Sequence, residues 1–352
     1  MSVVNLDSLD LSVCDRGGSM KSVLDFPKQF DEAMNRAFVF DLPMMRFGSV
    51  LIIGMGGSAV GGDILKALLK RRSSLFVEVL RGYELPAWVG EDTLIIGISY
   101  SGDTEETLHS CEEGLKRSSK ALLLSSGGKL EEMALSKGIP HFKLPSGFQP
   151  RAALAYLSVP LLVFMERLGI ASFQRELEET LSILGEMVEE LSPEVPSPSN
   201  PAKDLALWLY GSVPVIYGDE GIGGVAAYRW KTQINENSKQ PAYACLFPEL
   251  DHNEIVGWTT DRFKGVFKVI ALRHSSENRR TSLRYSVTRD LISDKVGGWR
   301  EVEGRGKGET SLLYSLIYFG DFVSLYLAYL NGVDPTPVNI ISKLKDEIKR
   351  QK

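Results

Sequence analysis

The chain has 352 residues, 43% hydrophobic and 24% charged, with a formal net charge of −5. That length suits two modest domains or one large one, and the composition is that of a soluble globular protein. The acidic balance gives no general reason to expect nucleic-acid binding. The cysteines Cys14, Cys111 and Cys245 stand far apart and away from the histidines, which argues against a structural zinc site and for a reducing compartment.

The opening segment "MSVVNLDSLDLSVCDRGG" carries aspartates, lacks a long apolar core, and does not read as a secretion signal. Short apolar, β-branched runs follow: Ser49–Gly54, Leu75–Leu80, Thr93–Ser99 and Ala121–Ser126. Helical patterns separate them, which predicts a parallel sheet covered on both faces. Helices are expected over Leu154–Leu168 and Ala171–Leu191. The run Ser192–Lys203, with four prolines, reads as a linker.

The strand–helix rhythm then restarts. Val213–Gly218 and Val266–Arg273 read as strands, Gly223–Lys239 as a helix, and Arg279–Ser293 as another. The expected organisation is residues 1–192, a linker over 193–204, and residues 205–352, two α/β halves of similar plan. The apolar run Leu312–Leu330 is nearly long enough to span a bilayer. Asp321 at its centre would be costly in lipid, so it reads as a buried helix of a cytoplasmic protein.

Two loops carry candidate chemistry in the first half. "GMGGSAVGGD" (Gly54–Asp63) satisfies the G-x-G-x-x-A dinucleotide pattern through Gly54, Gly56 and Ala59, and Glu78 lies about twenty positions on. Glu78, however, falls inside a strand pattern rather than at its end. "SYSGDT" (Ser99–Thr104) follows another strand and precedes a helix. One reading is a capped helix start, with Asp103 or Ser101 as N-cap. The other is a phosphate seat of hydroxyls at a helix N-terminus. Two such loops on neighbouring parallel strands favour a ligand.

Three further stretches are chemically suggestive. In "GFQPRAALAY" (Gly147–Tyr156), Arg151 stands at an expected helix start, where cations are disfavoured. It either pairs with a nearby carboxylate or faces an anionic substrate. In "KTQINENSKQPAYAC" (Lys231–Cys245), Glu236 sits between two asparagines. Tyr228, Trp230, Pro241 and Tyr243 are expected to wall it in and make it more basic by desolvation. "PELDHNEIVGW" (Pro248–Trp258) places His252 among polar neighbours, suited either to a structural turn or to proton transfer near neutral pH. His109, His141 and His274 lack such neighbours and receive no role.

"GMGGSA" followed by "SYSGDTEET" resembles the sugar isomerase (SIS) domain family. The resemblance implies a phosphosugar ligand, with Gly57, Ser58, Ser99, Ser101 and Thr104 at its phosphate. With "PRAALAY", "NEN", "DHNE", "GW" and "DPTPVNIISKLK" in order over Gly54–Lys345, the chain is similar to the bifunctional phosphoglucose/phosphomannose isomerases. The family pattern has asparagine where this chain has Asp251.

The resemblance implies an α/β fold of two doubly wound SIS-type subdomains. It also implies a cofactor-independent, metal-free aldose–ketose isomerase of glucose 6-phosphate and mannose 6-phosphate, giving fructose 6-phosphate through a cis-enediol. By the same resemblance Glu236 is the proton-transfer base, His252 a ring-opening group, Arg151 the enediolate stabiliser, and Lys345 a second ring-opening group. Lys343 stands two residues from Lys345 as its rival, and Thr336 is a candidate for giving room at C2. The expected partners are hexose 6-phosphates and a second copy in a homodimer with shared sites, with no nucleic acid and no membrane.

The alternative is a non-catalytic SIS-type regulator, which needs SYSGDT but has no use for Glu236 and His252. Amidotransferase-type aminosugar synthesis would need a glutaminase domain and a cysteine at position 2, where Ser2 stands. A nucleotide-dependent oxidoreductase would rest on the glycine loop alone.

Overall fold

The computed structural model describes residues 5–351. Met1–Val4, which open the segment read as no secretion signal, and Lys352 lie outside the described residues. Helices α1 (Leu11–Cys14), α2 (Ser19–Leu24) and α3 (Phe26–Val39) lead into β1 (Ser49–Ile53), α4 (Gly56–Leu69), β2 (Phe76–Leu80) and β3 (Thr93–Ile98). Then come α5 (Glu105–Arg117), β4 (Ala121–Ser125), α6 (Gly128–Lys137), β5 (His141–Lys143), α7 (Leu154–Arg167) and α8 (Gln174–Leu191). The rest is α9 (Pro201–Leu209), β6 (Val213–Asp219), α10 (Ile222–Asn237), β7 (Tyr243–Phe247), α11 (Glu254–Gly257) and β8 (Phe267–Arg273). It ends in α12 (Arg279–Ile292), β9 (Trp299–Glu303), α13 (Glu309–Leu330) and α14 (Asn339–Arg350).

The chain forms two compact units. The first comprises Asp25–Leu184 and Gly306–Leu312; the second comprises Met1–Leu24, Gly185–Arg305 and Leu313–Lys352. The packing thus divides the chain near residue 184 rather than at the proline run, and it places the leading segment with the second unit. Long-range contacts are the reason: Tyr329 donates to Asp15 at 3.2 Å and Tyr318 to the Val23 carbonyl at 2.8 Å. The segment expected as a linker is itself packed. It forms a 3-10 turn at Ser197–Ser199, and Asn200 caps α9. Lys203 is buried, donating to Asp7 and to the carbonyls of Pro193 and Val195.

In the first unit the sheet order is β2-β1-β3-β4-β5, with every neighbouring pair parallel. Every residue of β3 and β4 is buried, as Val, Ile and Leu runs sandwiched between helix layers must be. The strand order reverses between β1 and β3, which opens a crevice at their carboxyl ends. On one face α4 lies against α7 so closely that a Cβ on Gly61 would sit 2.2 Å from the Leu157 carbonyl oxygen.

In the second unit the order is β7-β6-β8-β9, again all parallel, with its reversal between β6 and β8. Its core gathers Val215, Tyr217, Phe247, Val269, Tyr285 and Ile292. The apolar run Leu312–Leu330 lies within α13, whose most apolar stretch is 94% buried in the fold. Asp321 is buried there and pairs with Arg229 of α10 at 3.0 Å. Burial raises the Asp321 carboxyl above its ordinary value, while Arg229 pulls the other way.

Candidate functional site

The first unit builds a seat at the β1/β3 crevice. Ser99 is almost wholly buried at the end of β3, and its hydroxyl lies 2.9 Å from that of Thr104. Ser99 Oγ also accepts the Gly102 N–H at 3.1 Å, and Ser101 Oγ accepts the Asp103 N–H at 3.3 Å. Gly102 has φ of +79°, and a Cβ there would meet the Gly127 carbonyl oxygen at 1.8 Å, so only glycine fits this turn.

The structure revises the capping reading of this loop. The N-cap of α5 is Thr104, not Ser101 or Asp103, and the Thr104 side chain makes no cap hydrogen bond. The Thr104 hydroxyl turns to Ser99, and the Asp103 carboxylate accepts the Lys129 N–H of α6 instead. A helix start without a side-chain cap, ringed by hydroxyls, has the makings of an anion seat.

The other expected first-unit residues converge on the same place. Ser58, in the first turn of α4, accepts the Tyr100 N–H at 3.2 Å through its hydroxyl. A Cβ on Gly57 would stand 3.1 Å from the Pro150 carbonyl oxygen and 3.3 Å from Arg151 Cα, so the glycine lets the arginine segment come close. That segment is pinned by Tyr100, whose hydroxyl donates to the Pro145 carbonyl at 2.9 Å and accepts the Phe148 N–H at 2.8 Å. Arg151 itself is buried, in a 3-10 turn (Pro150–Ala152). It does not open the following helix as expected, because α7 starts only at Leu154. The rival dinucleotide reading loses its acidic residue: Glu78 lies on edge strand β2 and faces Lys66 at 3.2 Å.

In the second unit, Glu236 stands in the last turn of α10. The asparagines beside it are structural. Asn235 donates to the Gln240 carbonyl at 2.9 Å, and Asn237 donates to Ser324 Oγ of α13 at 2.9 Å. Trp230 Nε1 donates to the Leu316 carbonyl at 2.8 Å, and Ser238 Oγ to that of Ser324 at 2.7 Å. The end of α10 is therefore riveted to α13 on one face, and half-buried Glu236 is left on the other.

The aromatic wall expected around Glu236 is different in kind. Trp230 is fully buried on the opposite face, while Tyr228 and Tyr243 are largely exposed. The apolar neighbours are instead Val333, Pro337, Val338, Ile340 and Ile341. They line a cavity of about 600 Å³ together with Asn235, Glu236 and Lys239. These residues come from the segment leading into α14 and from its first turn, a distance in sequence that local reading does not bridge.

His252 ends a 3-10 turn, Glu249–His252, and is exposed. Lys345 and Lys343 are both exposed on α14. Two residues apart on a helix they face nearly opposite ways, roughly 200° around the axis. Thr336 Oγ1 lies 2.8 Å from that of Ser19. The other histidines have more company than the sequence suggested. His274 is buried with Nε2 3.3 Å from Asp219 and Nδ1 2.9 Å from Ser276 Oγ, and His141 Nε2 lies 2.9 Å from Ser125 Oγ. Among the described residues no three of His, Cys, Asp and Glu stand together as a metal ion would require.

Comparison with known proteins adds to this geometry. Residues 198–348 match the model for the bacterial phospho-glucose isomerase C-terminal SIS domain. A bifunctional phosphoglucose/phosphomannose isomerase of Caldicellulosiruptor bescii is 41% identical over 332 residues, covering 93% of this chain and 98% of the relative. The protein of the same description from Aquifex aeolicus is 36% identical, over 86% of this chain and 91% of its own. Among solved structures, a glucose-6-phosphate isomerase like protein from Thermus thermophilus superposes with a TM-score of 0.64. It does so at 21% identity, over 97% of this chain and 99% of that one, a likeness of fold.

Proposed function

The chain belongs to the bifunctional phosphoglucose/phosphomannose isomerase family, and from that premise we propose how its residues carry out an aldose–ketose isomerisation. The substrates are glucose 6-phosphate and mannose 6-phosphate, each interconverted with fructose 6-phosphate. The observation that carries the assignment of the phosphate end is the start of α5, without a side-chain cap and beside the Ser99 and Thr104 hydroxyls. Ser58, Ser99, Ser101 and Thr104 hold the phosphate there, and Gly57 allows the close approach of backbone.

Arg151, buried beside that seat, stabilises the negative charge that develops on the enediolate. Glu236 takes the proton from one of C1 and C2 and returns it to the other. One base suffices for both epimers, because the two aldoses share a single enediol. His252 and Lys345 move protons at the ring oxygen and the anomeric hydroxyl to open the pyranose. Lys345 is preferred to Lys343 because it flanks the α14 stripe of Ile341, Leu344 and Ile348 more closely. No step calls for a metal or a redox cofactor.

The working form is a homodimer in the cytoplasm. Its support is the exposure of His252 together with the outward apolar stripe of α14, where Ile340 is 75% and Leu344 60% exposed. Sedimentation at micromolar concentration checks the dimer, and a monomer that retained full turnover would remove it.

The direct test mixes the purified protein with each aldose phosphate in the presence of a chelator and measures fructose 6-phosphate. Glu236→Gln is expected to lower kcat by about a thousandfold or more while leaving phosphosugar binding within a few-fold. Binding lost together with turnover would make Glu236 a structural residue. A phosphosugar sensor would give no turnover with either substrate.

A further inference from the structure

His252 is the one member of "DHNE" that the fold does not engage. Asp251 accepts two hydrogen bonds from α12, from Arg284 Nη1 at 2.7 Å and from Thr288 Oγ1 at 2.8 Å. Its donors are four residues apart, one turn of the same helix, so each carboxylate oxygen meets its own partner. Asn253 donates to Glu249 Oε1 at 2.8 Å and accepts the Glu254 N–H at 2.6 Å, capping α11. Glu254 accepts the hydroxyl of Tyr217 at 2.5 Å, and Trp258 Nε1 donates to the same hydroxyl at 3.0 Å.

Tyr217 is fully buried in β6, and Leu250 is buried in the core beneath the turn. His252, by contrast, is exposed and has no hydrogen-bond or ion-pair partner among the described residues. A turn with one tie on each side of a single outward ring is built to hold that ring's direction.

We propose that Asp251 is a positioning residue: its two-point clasp on α12 sets the direction in which His252 is presented. The proposal rests on the reading of His252 as a ring-opening group. Of the two sides of the turn, the Asp251 side is the more sensitive. It joins the turn to a separate helix, whereas Glu254 joins it to a strand already beside it in the sheet. An imidazole displaced by an ångström loses much of its advantage in proton transfer. The clasp therefore acts on turnover more than on affinity.

The test uses the full-length protein with glucose 6-phosphate and compares Asp251→Ala, Asp251→Asn, Arg284→Met and His252→Ala. Asp251→Ala is expected to lower kcat about tenfold with KM changed less than about twofold. Asp251→Asn, which keeps an acceptor for Thr288, recovers part of the loss, and Arg284→Met reproduces part of it. In the His252→Ala background the further change Asp251→Ala lowers kcat by less than about twofold, the non-additivity expected of two residues acting as one.

Equal loss in both backgrounds would overturn the proposal, since the clasp would then serve the fold alone. An unchanged kcat for Asp251→Ala beside a crippled His252→Ala overturns the proposal and leaves the His252 assignment standing. A fully active His252→Ala removes that assignment and the proposal with it. Should Asp251→Ala not fold, Asp251→Asn and Arg284→Met decide the same question.

Discussion

The two parallel sheets carry the same loop in two opposite chemical states. Ile53 pairs with Gly97 in one sheet, and Tyr217 with Ala271 in the other. Two residues beyond each pairing stand Ser99 and Arg273, and α5 and α12 each begin six positions later. Ser99 thus corresponds to Arg273, and Thr104 to Asn278, with equal loop lengths. In the first unit the hydroxyls bond each other and leave the helix without a side-chain cap. In the second, Arg273 is occupied by Glu277, Glu301 and Ser282, and Asn278 caps α12 through the Arg280 N–H.

The loops after β1 and β6 diverge in the same way. The first unit brings up Ser58 in the first turn of α4, whereas the second ends β6 in Asp219, a buried carboxylate that accepts the Gly223 N–H at 2.9 Å at the start of α10. The second crevice thus carries an anion of its own at the start of α10, while a cavity of about 560 Å³ remains beside the loop after β8, lined by Arg273, His274, Glu277 and Glu303. A strand-order reversal supplies the place for a ligand, and the side chains around it decide whether the place is open or closed.

The largest expected effect on stability concerns the second unit, where the buried Arg229–Asp321 pair serves the fold. Arg229→Met leaves the Asp321 carboxylate buried and unpaired, and unfolding in denaturant is expected to report a loss of about 3–5 kcal/mol. A loss below about 1 kcal/mol would mean that the pair is neutral to stability. In the first unit the effect should fall on binding. Ser99→Ala with Thr104→Ala is expected to raise KM about a hundredfold while kcat changes far less, the loss of two hydrogen bonds to a charged group. An unchanged KM would move the phosphate elsewhere.

The corresponding change in the second unit, Asn278→Ala, should leave KM within about twofold and cost about 1 kcal/mol of stability through the lost cap. A raised KM here would show that both loops bind substrate. The smallest effect depends on pH. Burial raises the Asp219 carboxyl, but His274 and the N–H groups of Gly221 and Gly223 outweigh it, so the group titrates below its ordinary value of 3.8. The folded state therefore favours the charged form. Its contribution is complete above that ordinary value and is lost as pH falls through the lowered one. Asp219→Asn should lower the melting temperature near neutral pH, with the gap from the parent closing as pH drops toward the carboxylate range. A gap that stays constant would exclude the charge as its source.

Central strands were legible because they are buried on both faces. β1, β3, β4, β6 and β8 are predominantly apolar runs, and their expected limits lie within a residue of the observed ones. β5, β7 and β9 were not read as strands, and all three are sheet edges. "WREVE" in β9 and the three-residue β5 carry the mixed polarity of half-exposed chain, and no run of hydrophobic residues announces them.

By itself the sequence determined the α/β rhythm, the hydroxyl loop, the arginine before α7, and the carboxylate between the asparagines of "NEN". Each depends on residues close together in the chain, where periodicity, helix ends and motif order are expressed. The tertiary structure alone decided that Thr104 is the N-cap and makes no side-chain cap, and that the asparagines beside Glu236 are taken up by the Gln240 carbonyl and by Ser324 of α13. It also decided that Asp219 turns to the start of α10 and that the leading segment packs with the C-terminal half. Those outcomes turn on which of several partners, near or far in the chain, a polar group meets in space, and a hydrogen bond is specified by a geometry that no local pattern encodes.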